Sequence, residues 1–126
     1  MEGRLELQGL YVEFLEARYP EVLDKLRRLV RGGQVELMVT HYSDQIYLAY
    51  PEYDMEKSQE LVGEILERNG LERSRVFFTQ ENFFTPVAPK FVEKHGFEAA
   101  LIDYTLIRLL EVFWRLREHY AHISLL

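Results

Sequence analysis

A chain of 126 residues is long enough for one domain, and with 48% hydrophobic residues, 8 Phe and 8 Tyr among them, it can bury a sizeable core. The 15 basic and 21 acidic side chains give a formal net charge of −6, which lacks the basic face a phosphate backbone selects, so no nucleic-acid partner is expected. The absence of cysteine excludes disulfides and thiolate chemistry, no apolar run approaches the roughly 18 residues of a membrane span, and Met1-Glu2-Gly3-Arg4 is too polar for a signal peptide, so a cytoplasmic protein with no membrane partner is expected.

In chain order, the pattern opens with helix. Leu7, Leu10, Tyr11, Phe14 and Leu15 recur at the spacing of one helix face. Pro20 disfavours helix at Tyr19 and opens a second helix, with Val22, Leu23, Leu26, Leu29 and Val30 apolar, which Gly32-Gly33 stops. Val35 to Thr40 reads as a strand, His41-Tyr42-Ser43-Asp44 as a polar break, and Ile46 to Tyr50 as a short apolar run of either kind. Asp54 can cap a helix running to about Asn69-Gly70.

Val76-Phe77-Phe78 is the second strand, and Pro86 or Pro89 can open the next helix, which stops at His95-Gly96. Phe97 to Ile102 is the third strand, closing at Asp103. A long C-terminal helix follows over Tyr104 to Tyr120, with Leu106, Leu109, Leu110, Phe113, Leu116 and Tyr120 along one face. Strands alternating with helices predict a single α/β domain over 1–126, its parallel strands near 34–40, 75–80 and 98–102 adjacent in that order and flanked by helices.

Within this frame, Gly33-Gln34-Val35-Glu36-Leu37 is followed by Tyr42, Ile46 and Pro51. That series resembles the second signature region of glycoside hydrolase family 57, where a "GQVE" strand leads into a "YYEPI…IP" loop. Tyr19-Pro20-Glu21…Leu26…Leu29-Val30 is similar to the helix before that strand. Phe77-Phe78-Thr79-Gln80-Glu81, followed by Pro86, resembles the strand bearing the family's nucleophile. Lys94-His95-Gly96-Phe97 and Leu101-Ile102-Asp103 resemble the helix-to-strand step after it. The resemblance covers about residues 17–104.

The resemblance implies part of a (β/α)7 barrel acting on or binding α-linked glucans, with a retaining mechanism, no cofactor and no metal. Glu81 takes the nucleophile's place and Glu36 that of a carboxylate near the bound sugar. His41, Tyr42, Asp44 and Phe83 stand where loop residues would meet substrate. A retaining glycosidase needs one carboxylate to attack the anomeric carbon and a second carboxyl about 5 Å away as acid and then base. Asp103, at a strand end, is the candidate for that second role, and a helix N-cap is its plainer reading. Several positions depart from the family. Its "HxHQP" histidine motif has no equivalent here, its general acid lies beyond Asp103, its "YYEP" reads Tyr42-Ser43-Asp44-Gln45, and Phe77 replaces a Trp.

Each candidate also has a structural reading. Glu81 in a polar loop is, by itself, a solvated surface residue. Glu36 inside an apolar strand needs a partner, for which Arg75 or Lys94 would serve. His41 and Asp44 could begin a metal site, but a third ligand is missing. Phe77 and Phe78 suit a core, while Phe83 and Phe84 could stack on sugar rings. Two function classes therefore compete: a glucan-active enzyme, and a non-catalytic remnant of that fold binding sugar or protein. An open strand edge and sheet face predict a homo-oligomer, a protein partner, or the C-terminal helix folded over the open face.

Overall fold

A computed structural model describes residues 3–43, 50–78 and 88–101. Its elements are β1 (Gly3–Glu6), α1 (Gly9–Arg18), α2 (Pro20–Arg31), β2 (Val35–Met38), α3 (Glu52–Arg68), β3 (Val76–Phe78), α4 (Ala88–Lys94) and β4 (Ala99–Leu101). Both strand pairings are parallel. β1 runs beside β2 with Gly3 opposite Val35 and Glu6 opposite Met38, and β3 runs beside β4 with Val76 opposite Ala99. Among the described residues no helix is long and apolar enough to cross a membrane.

The chain does not begin with helix. A four-residue strand precedes α1, and it escapes the periodicity argument because its single alternation, Arg4-Leu5-Glu6, is too short to separate from the helix-spaced Leu7 and Leu10 that follow. Pro20 at the first position of α2 separates the two helices as its missing N–H requires. α2 then ends in a Schellman motif: Gln34 N–H reaches Leu29 C=O at 3.0 Å and Gly33 N–H reaches Val30 C=O at 3.0 Å, with Gly33 at φ +67°. The same closure ends α4, where Phe97 N–H bonds Val92 C=O and Gly96 takes φ +74°. Phe97 is therefore a capping residue buried in the core, and the third strand begins at Ala99. α3 starts at Glu52 on Pro51, two residues ahead of Asp54, whose N–H instead bonds Pro51 C=O.

The core lies in two clusters. One joins Val12, Leu23, Leu26, Val62, Ile65 and Leu66 of the helices to Leu37 and Val39. The other packs Phe77 against Met55, Phe91 and Phe97, the ring centroids of Phe77 and Phe97 lying 5.2 Å apart edge to face. Each fully buried side chain of this size contributes about 1.5–3 kcal/mol. Because side chains alternate along a strand, Leu37 and Val39 facing the helices turn Glu36, Met38 and Thr40 to the opposite face.

Ser74 N–H bonds Leu37 C=O at 2.6 Å and Phe78 N–H bonds Thr40 Oγ1 at 3.2 Å, so β3 lies next to β2. The expected order of β2, β3 and β4 therefore holds across the described strands, as two short parallel ladders rather than one continuous sheet. The expected C-terminal helix, and the run Ile46 to Ala49, lie outside the described residues.

Candidate functional site

A polar row runs from β1 across β2 to the segment before β3, near the N-terminal ends of these strands. In the β1–β2 register Arg4 stands directly opposite Glu36. Arg4 Nε donates to Glu36 Oε2 at 2.7 Å, and the Ser74 hydroxyl donates to Glu36 Oε1 at 2.5 Å. Ser74 Oγ in turn accepts Val76 N–H at 3.0 Å, which fixes the direction in which its proton points. The Ser74 hydroxyl first, and Arg4 second, hold the Glu36 carboxyl below the usual carboxylate range against the opposing effect of partial burial. Glu36 is thus an oriented anion whose side chain is 39% exposed, beside an Arg4 side chain that is 58% exposed. A cavity of about 550 Å³, lined by Gly3, Arg4, Gly33, Val35 and Glu36, opens at this pair.

Neither residue expected to satisfy Glu36 does so. Arg75 pairs with Glu98, and Lys94 with Glu52 and Glu56. The expectation failed because β1 was not legible, and without that strand nothing places Arg4 across from Glu36. Ser74 carried a weak local signal, a hydroxyl two residues before an apolar strand residue whose N–H it can accept.

The C-terminal ends of the strands are organised differently. His41 is 1% exposed and its carbonyl accepts Gly9 N–H at 3.0 Å. Tyr42 is bound on three sides. Its N–H donates to Ser58 Oγ at 2.8 Å, its carbonyl accepts Leu10 N–H at 2.7 Å, and its hydroxyl donates to Glu13 Oε2 at 2.9 Å. The hydrogen bond to the Glu13 carboxylate, followed by burial, raises the Tyr42 phenol above its ordinary value. Gly9 is what lets the loop approach: a Cβ there would stand 3.3 Å from Tyr42 Cα and 3.2 Å from Val62 Cγ2.

Beside this loop, Gln59 Nε2 donates to Thr40 C=O, and Gln59 Oε1 accepts Arg73 Nη1 at 2.8 Å. Arg73 continues to His95 C=O at 3.2 Å and lies 4.5 Å over the Phe97 ring. Of the residues expected to form the site, the structure gives Glu36 an open cavity and fastens His41 and Tyr42 into the helical layer. Asp44, Glu81, Phe83 and Asp103 lie outside the described residues.

Comparison with known proteins now decides the family. Residues 4–125 match Glycosyl hydrolase family 57. The chain belongs to that family. An alpha-amylase of Pyrococcus horikoshii is 31% identical over 103 residues, which are 82% of this chain and 16% of that protein. A 4-alpha-glucanotransferase of Thermococcus litoralis is 26% identical over the same share of each. The crystal structure of the Thermococcus litoralis 4-alpha-glucanotransferase matches the fold with a TM-score of 0.73 at 24% identity, again over 82% of this chain and 16% of the other. The chain thus spans 16% of the length of these family 57 relatives, and the family read from the Gly33–Leu37 and Phe77–Glu81 segments is the family found.

Proposed function

We propose that this chain forms an α-glucan-binding part of a family 57 catalytic barrel, with Glu36 at the bound glucan and Glu81 in the place of the retaining nucleophile. The observation that carries the reading is the Glu36 carboxylate, held ionised by Ser74 and Arg4 at the edge of an open cavity. A fixed anion with spare acceptor capacity suits sugar hydroxyls, which donate to it, and charge-assisted bonds of that kind are the stronger class. Relatives named for amylase and glucanotransferase activity support α-linked glucans as the ligand class.

Glu36 sits beside Ser74, whereas Phe78 sits at Thr40, four residues further on and about 13 Å away at the ordinary strand rise. Because Ser74 and Arg4 hold its carboxyl ionised, Glu36 takes a binding role rather than that of a proton donor. The attack on the anomeric carbon goes to Glu81, and the acid and base steps to a second carboxyl about 5 Å from it, for which Asp103 is the candidate.

The test is calorimetric titration with maltoheptaose, then turnover of a nitrophenyl maltooligosaccharide. Glu36→Gln should weaken binding about 10-fold, the size of one charge-assisted hydrogen bond lost. Glu81→Gln should lower turnover by several orders of magnitude, as removal of a covalent step does. Absence of glucan binding by the unaltered chain would overturn the reading.

A second reading is an interaction module, and a separate observation favours it. Leu10, Tyr11, Phe14, Tyr19 and Val22 are all exposed on α1 and the start of α2, with the Tyr11 and Phe14 ring centroids 6.0 Å apart and those of Phe14 and Tyr19 5.6 Å apart. A clustered aromatic face of this kind suits a protein partner or a second copy of the chain. Light scattering tests self-association, and a monomer at all concentrations would remove the homo-oligomer from this reading.

A further inference from the structure

We propose that Arg4 is itself a sugar-binding residue, and that Arg4 and Glu36 together grip the vicinal diol of one glucosyl unit in the cavity at the N-terminal ends of β1 and β2. The proposal rests on the glucan-binding reading above and adds to it a second residue and a defined ligand group.

The geometry supplies a donor edge beside an acceptor edge. Arg4 spends only Nε on Glu36, and among the described residues its two terminal nitrogens make no hydrogen bond. Each Glu36 oxygen accepts one bond, from Arg4 or from Ser74, while a carboxylate oxygen has room for two. The shared Nε to Oε2 bond at 2.7 Å holds the guanidinium and the carboxylate side by side. Neighbouring hydroxyls on a sugar ring each donate and accept. One can donate to Glu36 and the next accept from Arg4, the paired pattern at which guanidinium and carboxylate groups excel.

The surroundings select the same ligand. Arg4 and Glu36 cancel in charge, so an anion entering the cavity meets Glu36 and a cation meets Arg4, whereas a neutral polyol opposes neither. Part of the wall is bare backbone: Gly3 and Gly33 line it, and a Cβ added at Gly33 would meet nothing within 4 Å. A sugar ring can therefore approach the main chain. The hollow, about 550 Å³, is widely open to solvent, so it can admit a glucosyl unit at the end or along the side of a longer chain. As a purely structural ion pair, Arg4–Glu36 would contribute little, because both side chains are substantially exposed.

The experiment follows the Arg4 Nε–H signal by NMR, assigned through its loss in Arg4→Lys, during titration with maltotriose. Maltotriose cleaved by periodate and reduced with borohydride, which destroys the ring diols, is the control ligand. The expected result is a shifted Arg4 signal with maltotriose and none with the control. Binding should be about 10-fold weaker in Arg4→Lys, which keeps the charge but loses the planar fork, and weaker still in Arg4→Ala, with circular dichroism unchanged in both. Unaltered maltotriose affinity in both variants would overturn the proposal and leave glucan binding at Glu36 standing. Equal affinity for the control ligand, or a shift of the Arg4 signal by inorganic phosphate instead, would overturn it too. No binding of maltotriose to the unaltered chain would overturn both readings together.

Discussion

The two ends of the sheet use the same kinds of side chain for opposite purposes. At the C-terminal end of β2, Thr40 and Tyr42 spend their polar groups on Gln59, on Phe78 N–H and on the helices, and His41 is enclosed. At the N-terminal ends, Arg4 and Glu36 make one bond to each other and keep exposed, oriented capacity beside a cavity. Polar content therefore does not by itself distinguish the two ends. What sets Arg4 and Glu36 apart is polar capacity that is held in place and left unspent.

Substitutions can break that contrast, and the largest effect is expected in the spent network, at the Arg73 link between Gln59 and the segment before β4. Arg73→Ala removes bonds to Gln59 and His95 and the contact over Phe97. It should cost about 3 kcal/mol, read as a lower urea midpoint at unchanged slope. A loss under about 0.5 kcal/mol would mean the network is not structural.

Gly9→Ala comes next. The added methyl meets Tyr42 backbone and the Val62 side chain at 3.2–3.3 Å, so the His41–Tyr42 loop must shift outward. About 1–2 kcal/mol of stability should be lost, as for overpacking elsewhere.

Tyr42→Phe should cost about 1 kcal/mol near neutral pH, one hydrogen bond to a carboxylate. The phenol's folded value is raised above its ordinary one of about 10, so its contribution is present below that pH and is lost as pH rises through the folded value. The stability difference between the two proteins should shrink in alkali, and a constant difference from neutral pH to beyond that range would contradict the assignment.

Glu36→Gln should be the mildest in stability, under about 1 kcal/mol, because the pair is half exposed and screened by salt. Its folded value is lowered, so the carboxylate's contribution is present above its ordinary value of about 4.3 and is lost as pH falls through the folded value. The unaltered chain should therefore lose slightly more stability than Glu36→Gln on acidification. A large stability loss at neutral pH would assign Glu36 to the scaffold.

The two regions were also unequally legible in the sequence. Helices with strong punctuation were readable: Pro20 and the glycine closures at Gly33 and Gly96 mark their ends by backbone conformation alone. Strands β2, β3 and β4 were readable because apolar or β-branched runs have few other uses between helices. β1 was not, since its single alternation is too short to separate from the helix-spaced Leu7 and Leu10 that follow, and its loss hid Arg4 and half of the polar row. Tyr42 matched the family's loop by type, yet its hydroxyl turns to Glu13 on α1, a partner 29 positions away that spacing cannot indicate. The family resemblance singled out Glu36, but only the register says which side chains hold its carboxyl.

The most direct test of which end binds is a backbone NMR titration with maltoheptaose. Shifts concentrated at Gly3, Arg4, Gly33, Val35 and Glu36 are the predicted result. Shifts confined to the Tyr11–Phe14–Tyr19 face of α1, or none at saturating sugar, would contradict it.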